Sequence, residues 1–201
     1  MKKLSHILSA VFSPLLVPTY GMILVSYLTI MAIVPRGFLW LAIGVVFLIT
    51  CIIPVTGILA LYKTGVIKDA ALNERTERTA PYILTVLCYL GAGLFLYRAG
   101  LPLWIDMFFA GGALAAVVNI IVNRWWKISA HGAAMGGLVA LIFRMMTSGY
   151  AIFNLEIWVS AAIIATGLVM TARVYLGRHT LMQVLAGCAN GFICVWLLSM
   201  I

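Results

Sequence analysis

Charge is the first property that this chain lacks: of its 201 residues only 9% are Asp, Glu, Lys or Arg, whereas 65% are hydrophobic. Soluble domains carry about a quarter charged residues, so this composition excludes a soluble domain. The mean hydropathy of +1.15 agrees with that exclusion. We therefore expect residues 1–201 to form a single integral membrane domain.

Acidic residues are the scarcest of the charged types. Five Asp and Glu oppose 13 Lys and Arg, which gives a formal net charge of +8. A nucleic-acid binder would need a soluble basic face with interleaved aromatic side chains, whereas the bases here are confined to short loops between apolar runs. We expect no nucleic-acid partner, and instead membrane lipids with an anionic or phosphate headgroup.

Metal-ligand spacing is also missing. The four cysteines each lie inside an apolar stretch, at Cys51, Cys88, Cys188 and Cys194. Cysteines in such surroundings usually behave as small buried hydrophobic residues. The sequence therefore predicts neither a metal site nor a cofactor.

Long apolar runs, by contrast, fill most of the chain. A helix needs about 20 apolar residues to cross a bilayer, and seven segments qualify: 7–33, 38–62, 81–98, 102–123, 130–147, 155–171 and 180–201. The predicted fold class is an all-α polytopic transmembrane helix bundle with six to seven spans.

The first of these runs follows Lys2 and Lys3 in the manner of a signal peptide. It is too long for the apolar part of one, so we interpret it as a retained span. Pro14, Pro18 and Pro54 are expected to kink or delimit helices.

Basic residues are distributed unevenly between the two ends of the predicted bundle. With seven spans, the N-terminus and the segments 63–80, 124–129 and 172–179 share one face, which holds ten of the 13 bases. The positive-inside rule makes that face cytoplasmic. Five of the ten could instead bind a ligand. Without these five, the two faces hold five and three basic residues.

Three polar segments meet on this crowded face, at 63–80, 124–132 and 172–183. Two of the three histidines belong to them, His131 and His179, while His6 lies near the N-terminus. Such a set of histidines and spaced bases indicates a functional site. The alternative interpretation is a collar of basic and aromatic residues, with Trp125 and Trp126, that only anchors the helices at the lipid surface.

The residue types suit a phosphate group. Lys68, Arg75, Arg78 and Arg173 offer many hydrogen-bond donors and no acceptors, as a tetrahedral oxyanion requires. Two neutral histidines beside it can act as nucleophile and general acid at physiological pH.

Ser129 precedes an apolar run and is predicted to be a helix N-cap. The backbone amides of Ala130, His131 and Gly132 would then point from the helix N-terminus toward an anion.

In order and spacing these residues resemble the membrane type-2 phosphatidic acid phosphatase (PAP2) superfamily, whose three motifs run K-x6-R-P, P-S-G-H and S-R-x5-H-x3-D. This chain has Lys68-x6-Arg75, then Ser129-Ala130-His131, then Arg173-x5-His179-x3-Gln183. The resemblance covers roughly residues 60–190 and all three internal spacings.

This resemblance implies a metal-independent lipid phosphate phosphatase. By position, His131 would protonate the leaving group, and His179 would attack phosphorus to give a phosphohistidine. Lys68, Arg75 and Arg173 would hold the phosphate. Members usually have six spans, and many bacterial members work on the periplasmic side. We expect a bacterial inner-membrane protein, with the face of the site left open between that precedent and the charge count.

Four positions depart from the family pattern: Thr76 stands for proline, Ala130 for glycine, Ala172 for serine and Gln183 for aspartate. Gln183 is the most consequential, since its i, i+4 spacing puts it over His179. A glutamine carbonyl can fix the imidazole tautomer but supplies no negative charge.

Three explanations of Gln183 stay open. A carboxylate of the first segment could substitute, from Asp69, Glu74 or Glu77. The enzyme could be slow, or could pass the phosphate to an alcohol as a lipid phosphotransferase. The site could also bind a lipid phosphate, or translocate it, without catalysis. Which lipid phosphate it would take is equally open.

Overall fold

The computed structural model describes residues 1–69, 72 and 74–201, and in that part the chain consists of helices joined by turns and loops, with one isolated β-bridge and no strand. Of the polar segment 63–80, residues 70, 71 and 73 thus lie outside the described part. Nine α-helices are present there: α1 (Lys2–Val11), α2 (Val17–Leu28), α3 (Arg36–Phe47), α4 (Ile53–Lys63), α5 (Thr79–Arg98), α6 (Leu103–Val122), α7 (Ala130–Thr147), α8 (Glu156–Tyr175) and α9 (Leu181–Ser199). The all-α prediction is confirmed.

Six helical segments of the described chain are long and apolar enough to cross a membrane: Arg36–Lys63, Thr76–Arg98, Leu103–Val122, Ala130–Thr147, Glu156–Tyr175 and Leu181–Ser199. They correspond to the last six predicted spans. These six helices fit an integral membrane protein. The first segment combines α3 and α4 through a π-turn at Leu48–Ile52, just before Pro54, whose missing N–H loosens the helix as predicted.

The predicted first span, 7–33, is wrong as a single helix. The chain breaks between α1 and α2, and a 3₁₀ turn at Ile30–Ile33 follows α2. Proline explains the break, because Pro14 has no N–H to continue α1 and Pro18 fits the first turn of a new helix. With 12 residues, α2 is shorter than the roughly 20 that a span requires.

The start of α2 lies beside the cavity, and its end lies at the far end of the bundle. At its start Pro18 lines the same cavity as His131. Just beyond its end, Thr29 pairs with Ala151 of the α7–α8 loop, and the N–H of Ile30 donates to the carbonyl of Tyr150 at 2.9 Å. The chain therefore enters Arg36–Lys63 at the end opposite to the histidines.

The tightest contact in the bundle joins α7 to α9 through four glycines. A Cβ atom at Gly136 would overlap the carbonyl oxygen of Cys188, and one at Gly191 would overlap that of Ala133. Gly132 and Gly187 face backbone atoms in the same way. In the sequence these glycines form two GxxxG patterns, Gly132-x-x-x-Gly136 and Gly187-x-x-x-Gly191. The two patterns therefore mark a backbone-to-backbone contact between α7 and α9.

We expect Gly191→Ala to lower the melting temperature of the protein in detergent, because its methyl group must push α7 and α9 apart. Overpacking of this kind costs about 1–3 kcal/mol. Gly167→Ala is the matched control: a Cβ there meets nothing within 4 Å, and alanine favours a helix over glycine. Equal melting temperatures for the two variants would contradict the close α7–α9 contact.

Candidate functional site

A cavity of about 280 Å³ brings the three polar segments together. Segment 63–80 contributes Arg78, segment 124–132 contributes His131, and segment 172–183 contributes Arg173 and His179. Ala130, at the start of α7, also lines it. From this polar end the cavity continues between the helices along apolar side chains. The cavity has a charged end and an apolar end, as an amphiphilic ligand requires.

Two predicted phosphate ligands lie elsewhere. Lys68 and Arg75 are exposed and are not among the residues that line the cavity. Arg75 donates from Nη1 to the carbonyl of Arg124, and Asn123 donates from Nδ2 to the carbonyl of Arg75 at 2.7 Å. These bonds tie the first polar segment to the second. Binding of phosphate by Lys68 and Arg75 stays a prediction.

Arg78 is the base of the first segment that reaches the cavity. It is only 7% exposed, and it donates from Nε to the carbonyl of Leu72 at 2.9 Å and from Nη1 to that of Ile128 at 3.3 Å. A guanidinium has five N–H donors, so these two bonds orient the group and leave others for a ligand. Tyr82, one helical turn further, lines the cavity beside it.

Arg173 faces the same space from the end of α8. Its side chain is half-buried, and in the described part of the chain its Nε has no hydrogen-bond partner. A buried donor on a charged group without a partner carries a desolvation cost. An anion in the cavity would remove that cost.

Positive charge accumulates around this end of the cavity. Burial lowers the pKa of Lys127, and the charges of Arg78, Arg173 and Arg178 lower it further, while only Glu74 raises it. The bases are thus close enough to repel one another. An environment of this kind attracts a doubly negative group such as a phosphate monoester.

Gln183 determines the tautomer of His179. Its Oε1 lies 3.2 Å from Nδ1 of His179 and accepts the backbone N–H of Thr180 at 3.1 Å. Because that N–H can only donate, the atom facing both groups is the oxygen, so Nδ1 of His179 carries the hydrogen. The unprotonated Nε2 is then the nitrogen that can attack phosphorus.

The same glutamine completes a capping box at the start of α9. Thr180 Oγ1 accepts the N–H of Gln183 at 3.4 Å while Gln183 accepts the N–H of Thr180. The sequence signal was Thr180-x-x-Gln183, the S/T-x-x-E/Q pattern of a helix start. Sequence reasoning compared Gln183 only with an aspartate and missed this second role.

Neither glutamate of the first segment replaces the missing aspartate. Glu77 accepts the backbone N–H groups of Lys68 at 3.0 Å and Asp69 at 3.3 Å, which folds the loop before Arg78. Glu74 is exposed to solvent. At Nδ1 of His179 the acceptor is Gln183, as the i, i+4 spacing predicts.

His131 is held in the opposite tautomer. Its Nε2 lies 3.0 Å from the backbone carbonyl oxygen of Ser9 in α1. A carbonyl only accepts, so Nε2 carries the hydrogen and Nδ1 is unprotonated in the neutral ring. The first helix therefore contacts the residue that was predicted to be the general acid.

Ser129 is the N-cap of α7, as its position predicts. Its fully buried Oγ accepts the N–H of Gly132 at 3.2 Å, and its own N–H donates to the carbonyl of Gln183 at 3.2 Å. The amide of Gly132, one of the three predicted to face an anion, is therefore already bonded to Ser129. The positive end of the α7 dipole still points to this end of the cavity.

The electrostatic surroundings keep His179 neutral. Burial, followed by the charges of Arg78 and Arg173, lowers its pKa from 6.5 to about 4, even though the bond to Gln183 raises that pKa. A neutral imidazole is the form that can act as a nucleophile.

Asn119 is a site residue that the sequence analysis missed. It is buried on α6 and lines the cavity. Its Oδ1 accepts Nδ2 of Asn190 at 3.1 Å, while Asn190 Oδ1 accepts the thiol of Cys194 at 3.3 Å. The signal was available, since two asparagines in apolar membrane spans call for partners.

Comparisons of the chain with protein-family models, with curated proteins and with solved structures found no match. The likeness to the PAP2 superfamily therefore rests on the three motifs.

We expect NMR of histidine-labelled protein to show His179 neutral, with hydrogen on Nδ1, near pH 6, where an ordinary imidazole of pKa about 6.5 is mostly charged. Because the folded pKa of about 4 is the lower one, the unfolded chain binds the extra proton. This group therefore lowers folding stability as pH falls from about 6.5 to about 4. The spectrum of His179→Ala assigns the signal, and a charged ring near pH 6 would refute the burial argument.

Proposed function

We propose that this protein is an integral membrane phosphatase that hydrolyses a lipid phosphomonoester or pyrophosphate through a phosphohistidine on His179. The observation that carries the proposal is the composition of one cavity. Two histidines and two guanidinium groups, from Arg78 and Arg173, line its polar end, and mostly apolar side chains line the remainder. The motif resemblance adds the reaction class.

In the proposed reaction, the phosphate group of the lipid binds between Arg78 and Arg173 with its chain along the apolar side chains. Nε2 of His179 attacks phosphorus, and the bond from phosphorus to the lipid oxygen breaks. The leaving oxygen takes a proton from the imidazolium form of His131, which becomes neutral. Water then attacks phosphorus and gives a proton to His131, and the phosphorus–nitrogen bond breaks, which releases inorganic phosphate and restores the neutral imidazole of His179.

This mechanism requires His131 to gain a second proton before it can act as the general acid. In the structure its Nε2–H donates to the carbonyl of Ser9, so the second proton is taken up at Nδ1 and passes from there to the leaving oxygen. A bound phosphate favours this protonation, because its negative charge stabilises an imidazolium beside it.

Gln183 supports a rival function. Because it supplies no negative charge to the His179 ring, the phosphoenzyme would form slowly, and the site could bind or translocate a lipid phosphate without turnover. A lipid phosphotransferase is the remaining alternative, in which an alcohol replaces water. Competition between added alcohols and water for the phosphate distinguishes the transferase from the phosphatase.

We further propose that the site faces the cytoplasm, because ten of the 13 Lys and Arg were assigned to its end of the bundle. This proposal applies equally to a phosphatase and to a lipid-phosphate binder.

We expect His179→Ala to abolish phosphate release from a panel of lipid phosphates in detergent, because the nucleophilic nitrogen is gone. His131→Ala should slow the reaction by about 10²–10⁴, the usual contribution of a general acid. His6→Ala is the matched control, because His6 is exposed on α1. Saturable binding with no turnover and no acid-labile phosphoprotein would contradict the phosphatase and support the binder.

We expect Gln183→Glu to raise turnover by about tenfold or more, which corresponds to about 1.4 kcal/mol. Glutamate keeps the capping box with Thr180 and adds the charge that stabilises a positive His179 ring. Gln183→Asp tests the shorter carboxylate, and Gln183→Leu should lose activity because the tautomer is no longer fixed. A collapse of turnover in the glutamate variant would show that the missing charge does not limit the reaction.

A further inference from the structure

The apolar part of the cavity follows one face of α6. Asn119, Ala116, Ala115, Gly112, Phe109 and Phe108 all line it, and their spacing of three or four residues places them along a single stripe. From Asn119 to Phe108 the helix rises about 16 Å at roughly 1.5 Å per residue. The lining of the cavity therefore extends over about this distance along α6.

Small side chains form the α6 and α7 side of the middle of the cavity. On these two helices the lining residues at this depth are glycine and alanine: Gly112, Ala115, Ala116, Ala133, Ala134 and Gly137. Tyr89 of α5 lies opposite and packs against Gly112. We call this part of the cavity the apolar tunnel.

Large and buried side chains close the deep end of the tunnel. Phe108 and Phe109 pack edge to face with ring centroids 5.0 Å apart, and Val195 of α9 lies beside them in the lining. Phe108 is supported from behind, since a Cβ at Gly21 would lie 3.0 Å from its ring. The tunnel is therefore blind at this end.

The volume of the whole cavity limits what can enter. At about 280 Å³ it lies at the lower end of the range of about 300–1,000 Å³ that holds drug-sized ligands. A phosphate group and one hydrocarbon chain of limited length are of that size, whereas two long acyl chains would not both lie inside it.

We propose that the apolar tunnel accepts one hydrocarbon chain of limited length, and that Phe108 and Phe109 set the limit. The ligand is then a single-chain phosphate amphiphile rather than a two-chain phospholipid. This inference rests on the proposed function for the position of the phosphate group, which places the start of the chain at Asn119.

The experiment measures phosphate release from butyl, octyl, dodecyl and hexadecyl phosphate and from a two-chain phosphatidate. For the wild type, kcat/KM should pass through a maximum within the single-chain series and should be at least about tenfold lower for phosphatidate, a difference of about 1.4 kcal/mol. A steady rise to hexadecyl phosphate, or equal use of phosphatidate, would overturn the proposal.

Two substitutions move the limit in opposite directions. Ala116→Leu fills the middle of the tunnel and should move the maximum to a shorter chain. Phe108→Ala removes part of its floor and should move the maximum to a longer chain. Ala189→Leu is the matched control, because Ala189 is exposed on α9 and adds the same atoms outside the cavity. An unchanged chain-length profile in both tunnel variants would overturn the proposal.

A binding measurement separates this inference from the phosphatase itself. The same compounds should raise the melting temperature of His179→Ala protein, which has no nucleophile, with the same chain-length maximum. If the chain-length maximum appears in binding but no compound is hydrolysed, the proposal for the apolar tunnel is supported and the proposed phosphatase activity is contradicted. If compounds are hydrolysed but stabilise the protein without regard to chain length, the proposal for the tunnel is contradicted and the phosphatase activity is supported.

Discussion

The contact between α7 and α9 is the constraint on which the site depends. Four glycines let the two backbones touch, and the contact begins at the ends that carry the histidines: Gly132 faces the carbonyl of Val184, and the N–H of Ser129 donates to the carbonyl of Gln183. His131 stands on the first turn of one helix and His179 just before the first turn of the other. Larger side chains in this contact would move the two rings apart. The distance between the His131 and His179 rings therefore depends on the close packing of α7 against α9.

Two helices repeat the same change from polar to apolar along their cavity faces. On α6 it runs from Asn119 to Phe108, and on α7 from His131 to Gly137. In each case the polar residue lies within the first or last turn at the histidine end. The membrane explains the direction, because buried donors and charges cost least where water and ions can still reach them. The cavity reproduces in its lining the polarity of the bilayer around it.

Hydropathy predicted six of the spans because a run of about 20 apolar residues has few alternatives in a bilayer. It failed at 7–33, where Pro14 and Pro18 divide the run into two short helices. The motif spacings predicted that His131, Arg173 and His179 share a site, and all three line one cavity. They did not distinguish Arg75 from Arg78, since both lie in one loop and only tertiary contacts with residues 123–128 decide which is buried. Asn119 belongs to none of the three motifs, and its signal was the presence of a second asparagine, Asn190, in another apolar span.

The bond between Ser9 and His131 couples the position of α1 to the site. One side of α1 exposes Leu4, Ile7 and Val11, whereas its Ser9 carbonyl accepts a hydrogen bond from the His131 ring. A tilt or shift of this helix therefore moves the acceptor that orients the imidazole. In the proposed reaction, lateral pressure, membrane thickness and the choice of detergent would thereby become variables of proton delivery.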